Sequence, residues 1–242
     1  MYKRQALTTS AVKHDDHYLV NGSKVYTSGA EGADYVWLAA RTDPDAPKHK
    51  GISILVVDTS DPGFSRGDIN TMGGVHTNVT YYENIKVPLD MIIGQENGGW
   101  RLITEQLNHE RVGLAAWGIQ GWKLFHDALD WARNTRGASG QRVIDEPIAQ
   151  RSLAEVYAHL EAMRVMNARM SWSLDQQEMD AVFPSAIKVY STEIMLEICR
   201  LLMDMVGPHA LISADSDSAV LHGNLEHELS LIHISEPTRQ DR

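Results

Sequence analysis

Glu110 and Arg111 stand side by side in the stretch Trp100–Arg136, where residue type and setting together offer chemistry. A carboxylate becomes a useful general base when partial loss of solvent raises its basicity. The neighbouring residues favour such a setting. Gly113, Ala115, Ala116, Gly118 and Gly121 give the next turns a small-residue surface, which a ligand or another backbone can approach closely. Taken alone, however, a Glu-Arg pair on a helix is a solvated ion pair of little energetic consequence. At this level the pair is either a surface charge pair or a catalytic base with a charged neighbour.

Other chemistries find less support. His14-Asp15-Asp16-His17 fits a polar loop before a strand better than a metal site, because ligation needs convergent side chains and a supporting shell. His222 and His227 have weak ligand spacing, so no metal is expected. There is no His-Glu-x-x-His, Cys-x-x-Cys, Gly-x-Ser-x-Gly or Gly-rich phosphate fingerprint. Ser28 beside Gly29 has no evident partner base. A formal net charge of −10 argues against nucleic acid. The local cluster of Arg133, Arg136 and Arg142 still leaves room for an anionic small ligand. No apolar run approaches the roughly 18 residues that span a bilayer, so no membrane partner is expected. Cys199 is the single cysteine, which excludes an internal disulfide and fits a cytoplasmic setting.

The elements that must position these residues change in texture at Pro88. Residues 6–90 carry β signals. Asn21-Gly22 between His17–Val20 and Lys24–Ser28 predicts a hairpin turn, since both turn residues need positive φ. Further strands are expected at Tyr35–Arg41, Gly51–Asp58, Ile69–Met72 and Asn78–Val87, with Asp43–Lys50 a polar loop. Residues 91–228 read as a helical domain. Ile103, Leu107, Leu114, Trp117, Leu124 and Trp131 fall on one stripe of a long helix that Gly137–Gly140 ends. Second and third helices are expected over Pro147–Leu174 and Pro184–Val206, the last stopped by Gly207-Pro208. The expected fold is α+β, an antiparallel β-barrel or sandwich followed by an up-and-down helical bundle. Residues 1–5 and 229–242 read as a non-native leader and tail, similar to translated adaptor sequence.

From Ala6 to Glu228 the chain resembles the acyl-CoA dehydrogenase family. Tyr18–Asp34, with Asn21-Gly22-Ser23-Lys24-Val25-Tyr26-Thr27-Ser28, is similar to the family's flavin strand Asn-Gly-x-Lys-x-Trp-x-Thr/Ser. Met72-Gly73-Gly74, Thr77-Asn78 and Tyr82–Pro88 resemble the next β segment. Gly94–Trp100 resembles the lead-in to the catalytic helical domain.

The resemblance implies FAD, an acyl-CoA substrate and a dimer or tetramer, with electron-transfer flavoprotein as the electron acceptor. It implies α,β-dehydrogenation, in which a carboxylate removes the α-proton while the β-hydride passes to FAD. Glu110 falls on the position that supplies this base in the isovaleryl- and long-chain branches; other branches use a later segment. Tyr26 would stack on the flavin in place of the usual Trp, and Ser28 and Thr27 would meet its edge. Arg136 resembles the Arg of an Arg-x-x-Phe-Gly segment that meets the FAD diphosphate across a subunit interface. Ser139 replaces the Phe, so Arg133 is the alternative. Gly207 resembles another FAD contact, with Asp204 and Pro208 departing from the pattern. Leu107 and Arg111 would contribute to the substrate site.

The family's N-terminal helices and a flavin loop are expected before residue 6, and its last helix after Glu228. The chain as written is therefore expected to bind FAD weakly or not at all. Two rival readings remain: a non-catalytic or half-site subunit of a heteromeric dehydrogenase, and a helical interaction module without cofactor.

Overall fold

Among the described residues, seven strands precede five α-helices: β1 Ser10–Lys13, β2 His17–Val25, β3 Tyr35–Arg41, β4 Ile52–Asp58, β5 Phe64–Asn70, β6 His76–Pro88 and β7 Ile92–Ile93. The helices are α1 Gly99–Gly113, α2 Trp117–Asn134, α3 Pro147–Asp175, α4 Phe183–Val206 and α5 Asn224–Ser235. The computed structural model describes residues 7–71, 76–113, 117–176 and 182–235, without the side chains of 108, 109, 111–113, 117 and 230–235. The chain divides into two compact units, Met1–Leu107 and Asn108–Arg242.

The first unit is one mixed sheet in the order β5-β6-β2-β1-β3-β4-β7. Every adjacent pair is antiparallel except β1 and β3, which meet in parallel at Ser10 and Arg41. Strand β4 is buried along almost its whole length, as its unbroken apolar sequence requires. One face of the sheet packs Tyr18, Val20, Leu38, Leu55, Tyr82 and Val87 into a core. Ile52 and Ile54 of β4 form a separate cluster with Ile103 of α1, and Trp100 and Leu107 pack against it. A side chain at Gly99 would meet the Ile52 carbonyl oxygen at 2.8 Å, so glycine lets the start of α1 lie directly on β4.

The expected hairpin at Asn21-Gly22 does not form. Strand β2 runs straight through it, with a register shift between Val20 and Gly22. Gly22, at φ 140°, serves a bulge and a close approach: a Cβ there would lie 2.7 Å from the Thr9 Cα. The Asn21 side chain accepts a hydrogen bond from the Asn84 N–H across the bulge. Asn-Gly tolerates positive φ in either structure, and pairing with β6 on the far side decides between them. The fifth strand begins at Phe64, earlier than the expected Ile69, and the short β1 comes before the first expected strand.

The second unit is a helical bundle. Its core takes Leu124, Ala128 and Ala132 from α2, Leu153, Val156 and Leu160 from α3, and Met195, Cys199 and Leu202 among others from α4. Those spacings of three and four are the apolar stripe of a helix that buries one face. Pro147 sits at the start of α3, where its missing N–H is harmless. Gly207 ends α4 at φ 74°, its N–H donating to the Met203 carbonyl. The stretch read as one long helix is described as α1 and α2, and Leu114, Ala115 and Ala116 lie outside the described residues. Helix α5 runs across the expected boundary at Glu228, while 1–6 and 236–242 also lie outside the description.

Candidate functional site

In the sheet unit the candidate residues gather where β2 leaves β6. Val25 pairs with Val79, but the Thr27 N–H then donates to the Asn78 carbonyl at 2.9 Å, one position out of register. Tyr26 is the extra residue. Its φ of 66° is left-handed, and its ring is 71% exposed. Two residues facing one, with the first left-handed, is a bulge, a device that re-aims side chains beside functional sites. Thr27 and Ser28 follow with hydroxyls tied to β6, Thr27 to Thr80 at 3.2 Å and Ser28 to Thr77 at 3.2 Å. Thr80 in turn bonds the Tyr82 hydroxyl at 3.1 Å. A hydroxyl has one donor and two acceptor positions, so the Thr27 and Ser28 hydroxyls keep capacity for a ligand.

A groove of about 540 Å³ opens beside this bulge. It lies where β1 stops pairing with β2 at Ser10, leaving the β2 edge from Ser23 to Thr27 and the β3 residues Val36 to Ala39 on its walls. Ile103 and Gln106 of α1 complete it. Lys24 pairs with Thr80 across the strands, which places it on the Thr80 and Tyr82 face. Burial pushes its ammonium down to about 8.

Each remaining candidate is described within its own element. Glu110 is exposed on α1, four plus three residues beyond Ile103 and so on the same helical face as Ile103 and Leu107. Leu107 is half-buried and packs on the Ile52–Ile54 cluster. Arg111 lies in α1, and its side chain is outside the described residues, as are Gly113 and Ala115–Ala116 of the small-residue surface. Gly118 and Gly121 serve helix packing: a Cβ at Gly121 would meet Leu160 at 2.6 Å and Met195 at 2.9 Å.

Arg133 and Arg136 are exposed at the end of α2 and just beyond it. Arg133 pairs with Asp130 at 3.4 Å, and Arg136 donates to the Gly140 carbonyl at 2.7 Å. Arg136 also bridges Arg142 in a short antiparallel ribbon closed through Gly140 at φ 81°. Arg142 forks onto Asp145 at 2.8 and 3.0 Å, which holds the Asp145 carboxyl below its usual range. Gly207 is the left-handed cap of α4. Met72–Gly74 lies outside the described residues. Among the described residues no cluster of three His, Cys, Asp or Glu side chains could hold a metal, and no helix is long and apolar enough to cross a membrane. Lys24 and Asn78 carried no assigned role in the sequence reading, although Thr77-Asn78-Val79-Thr80 is a visibly polar run for a paired strand.

The acyl-CoA dehydrogenase middle-domain model matches residues 3–85, and the C-terminal-domain model matches 97–226. Acyl-CoA dehydrogenase FadE26 of Mycobacterium tuberculosis is 42% identical over 234 residues, 93% of this chain and 58% of that protein. A solved structure, the Tcur3481-Tcur3483 steroid ACAD, is 44% identical with a TM-score of 0.89 over 95% of this chain and 58% of that one. The ChsE4-ChsE5 complex from Mycobacterium tuberculosis is 41% identical with a TM-score of 0.88, over 95% and 59%. The chain thus spans a little under three fifths of the length of these relatives. A sheet unit followed by a helical unit, both matched in order and with the polar bulge in the first, fixes the relationship: the chain belongs to the acyl-CoA dehydrogenase family.

Proposed function

We propose that this chain carries the flavin strand and the catalytic base of an enzyme that dehydrogenates an acyl-CoA thioester at its α,β bond, with hydride transfer to FAD. The observation that carries the reading is the Tyr26 bulge: an exposed aromatic ring beside two hydroxyls whose other bonds are already fixed. That donor set fits a flavin, which offers a flat ring for stacking and a polar edge for hydrogen bonds. Tyr26 would stack on the ring, while Thr27 and Ser28 would bond its edge. Arg136 or Arg133 would meet the diphosphate of FAD, with Gly207 offering a close backbone approach.

When bound, FAD supplies the hydride acceptor. The chain's own work is with the proton. Glu110 takes the substrate α-proton onto a carboxylate oxygen, the electron pair it leaves forms the new double bond, and the β-hydrogen departs as hydride. Leu107 and Arg111 contribute to the substrate site. Electron-transfer flavoprotein would be the electron acceptor of the full enzyme, and the working assembly would be a cytoplasmic dimer or tetramer.

A second reading has its own support. Two of the similar structures are named as pairs of different chains, and one is called a steroid ACAD. With Tyr, Ser and Asp at 26, 139 and 204, this chain departs from the family pattern, as a half-site subunit acting on a steroid thioester would. One experiment separates the two. Anaerobic addition of acyl-CoA to the full-length protein, loaded with FAD, should bleach the flavin absorbance in the homomeric case. Bleaching only after a second, related chain is added supports the half-site subunit. No bleaching in either state rejects both.

A further inference from the structure

We infer that Asn78 is a positioning residue that holds Tyr26 in its left-handed conformation and so aims the ring at the flavin. The inference rests on the flavin reading of Tyr26 given above. A bulky residue with positive φ is uncommon, and such a backbone persists only when its surroundings over-determine it. The ring does not supply that restraint, because it is largely exposed.

The restraint lies one residue on, and most of it comes from Asn78. The Asn78 carbonyl accepts the Thr27 N–H at 2.9 Å, and the Asn78 Nδ2 donates back to the Thr27 carbonyl at 3.2 Å. Both backbone polar groups of Thr27 are therefore held by one residue. With Val25 fixed to Val79 on the other side, the peptides flanking Tyr26 are anchored at both ends.

Asn78 is itself immobilised. It is 1% exposed near the start of β6, paired with Asp68 of β5. Its second amide proton goes to the Glu31 carboxylate at 2.6 Å, and its Oδ1 accepts from Arg66 at 3.3 Å. Glu31 is held below the usual carboxylate range by its own backbone N–H first and by Asn78 second. An aspartate at 78 would keep the Arg66 contact and present oxygen, where donors are needed, to two acceptors. An alanine would leave the Thr27 carbonyl without its side-chain donor.

The test uses the full-length protein, loaded with FAD, with four variants: Asn78→Ala, Asn78→Asp, Tyr26→Ala and Val87→Ala. Val87 is a buried core residue of the same strand that does not touch the bulge. Amide hydrogen exchange at Thr27, FAD affinity and the fine structure of the flavin visible band are measured for each. Both Asn78 variants should speed Thr27 exchange, weaken FAD about tenfold, and blur the band. Val87→Ala should lower Tm and leave FAD affinity and the band unchanged. The inference is overturned if the Asn78 variants leave Thr27 exchange and FAD affinity at parental values while Tyr26→Ala weakens FAD. It is equally overturned if Val87→Ala reproduces their effects, since a general loss of stability then explains them. If Tyr26→Ala leaves FAD affinity untouched, the flavin reading of Tyr26 fails by itself, and Thr27 exchange still decides whether Asn78 holds the bulge.

Discussion

The Tyr26–Ser28 bulge and the Arg133–Arg142 ribbon are both polar, and they are held in opposite ways. The bonds of the bulge go to residues about fifty positions away, in the strand that pairs with its own. Those of the ribbon go to Asp130, Gly140 and Asp145, none more than four residues off. The bulge is a product of the sheet and exists only when β6 is in place. The ribbon is a product of local chain, with exposed guanidinium groups whose pairs contribute little to stability. A site of the first kind is organised before a ligand arrives. A site of the second kind gains its energy when an anion displaces water and competing carboxylates.

Glu110 belongs with the ribbon in exposure, and the largest expected effect tests whether it belongs there in function. Glu110→Gln removes a charge from an exposed helix position, so stability should change by no more than about 0.5 kcal/mol. As the proposed base, in the full-length protein it should cost roughly 10²–10⁴-fold in the rate of flavin reduction, with FAD still bound. Rapid-mixing absorbance under anaerobic conditions measures that rate. A parental rate places the base in another segment and leaves Glu110 a surface charge.

Leu160→Ala sharpens the contrast from the packing side. Leu160 is fully buried between α2 and α4, and truncation should cost about 2–5 kcal/mol. Because the two units have separate cores, amide exchange should accelerate along α3 and α4 while the Thr27 amide keeps its protection. Equal acceleration at Thr27 would mean the bulge depends on the helical core after all.

The same division explains what could be read from the chain itself. Helices α3 and α4 are legible because Pro147, Gly207 and a regular apolar stripe are local signals with local causes. Strand β4 is legible because an unbroken apolar run has few other uses. Asn21-Gly22 misleads because its torsional freedom suits both a hairpin and a bulged strand, and the deciding partners, Thr9 and Asn84, are distant in sequence. The site divides in the same way. Tyr26, Thr27 and Ser28 are found by resemblance, but nothing local marks Tyr26 as left-handed or Asn78 as its clamp. Gly118 and Gly121 looked like room for a ligand, and Gly121 is filled by Leu160 and Met195 from facing helices.

Lys24 offers a smaller effect, read through pH. Its folded pKa of about 8 lies below its ordinary 10.5 because burial disfavours the ammonium. Below about 8 the amine is charged in both states, and the full penalty opposes folding. From about 8 to 10.5 the unfolded chain holds a proton that the folded chain has released, so stability rises with pH across that window. Lys24→Met removes the titrating group. In urea titrations from neutral pH upward the parent should gain on the variant through that window. Parallel curves would show that the amine reaches solvent.

Tyr26→Gly gives a small effect on stability and the most direct test of what the bulge is for. Left-handed backbone costs a residue with a Cβ roughly 1–2 kcal/mol, which glycine avoids. Glycine loses about 0.5–1 kcal/mol in return through the freedom of its unfolded chain. The variant should therefore be slightly more stable than the parent, by about 0.5–1 kcal/mol in urea denaturation, while its FAD affinity falls. A strained, exposed tyrosine whose removal helps folding is retained for something other than folding. If the variant is less stable than the parent, the ring contributes packing in the groove that its 71% exposure conceals, and the case for a flavin-facing Tyr26 weakens accordingly.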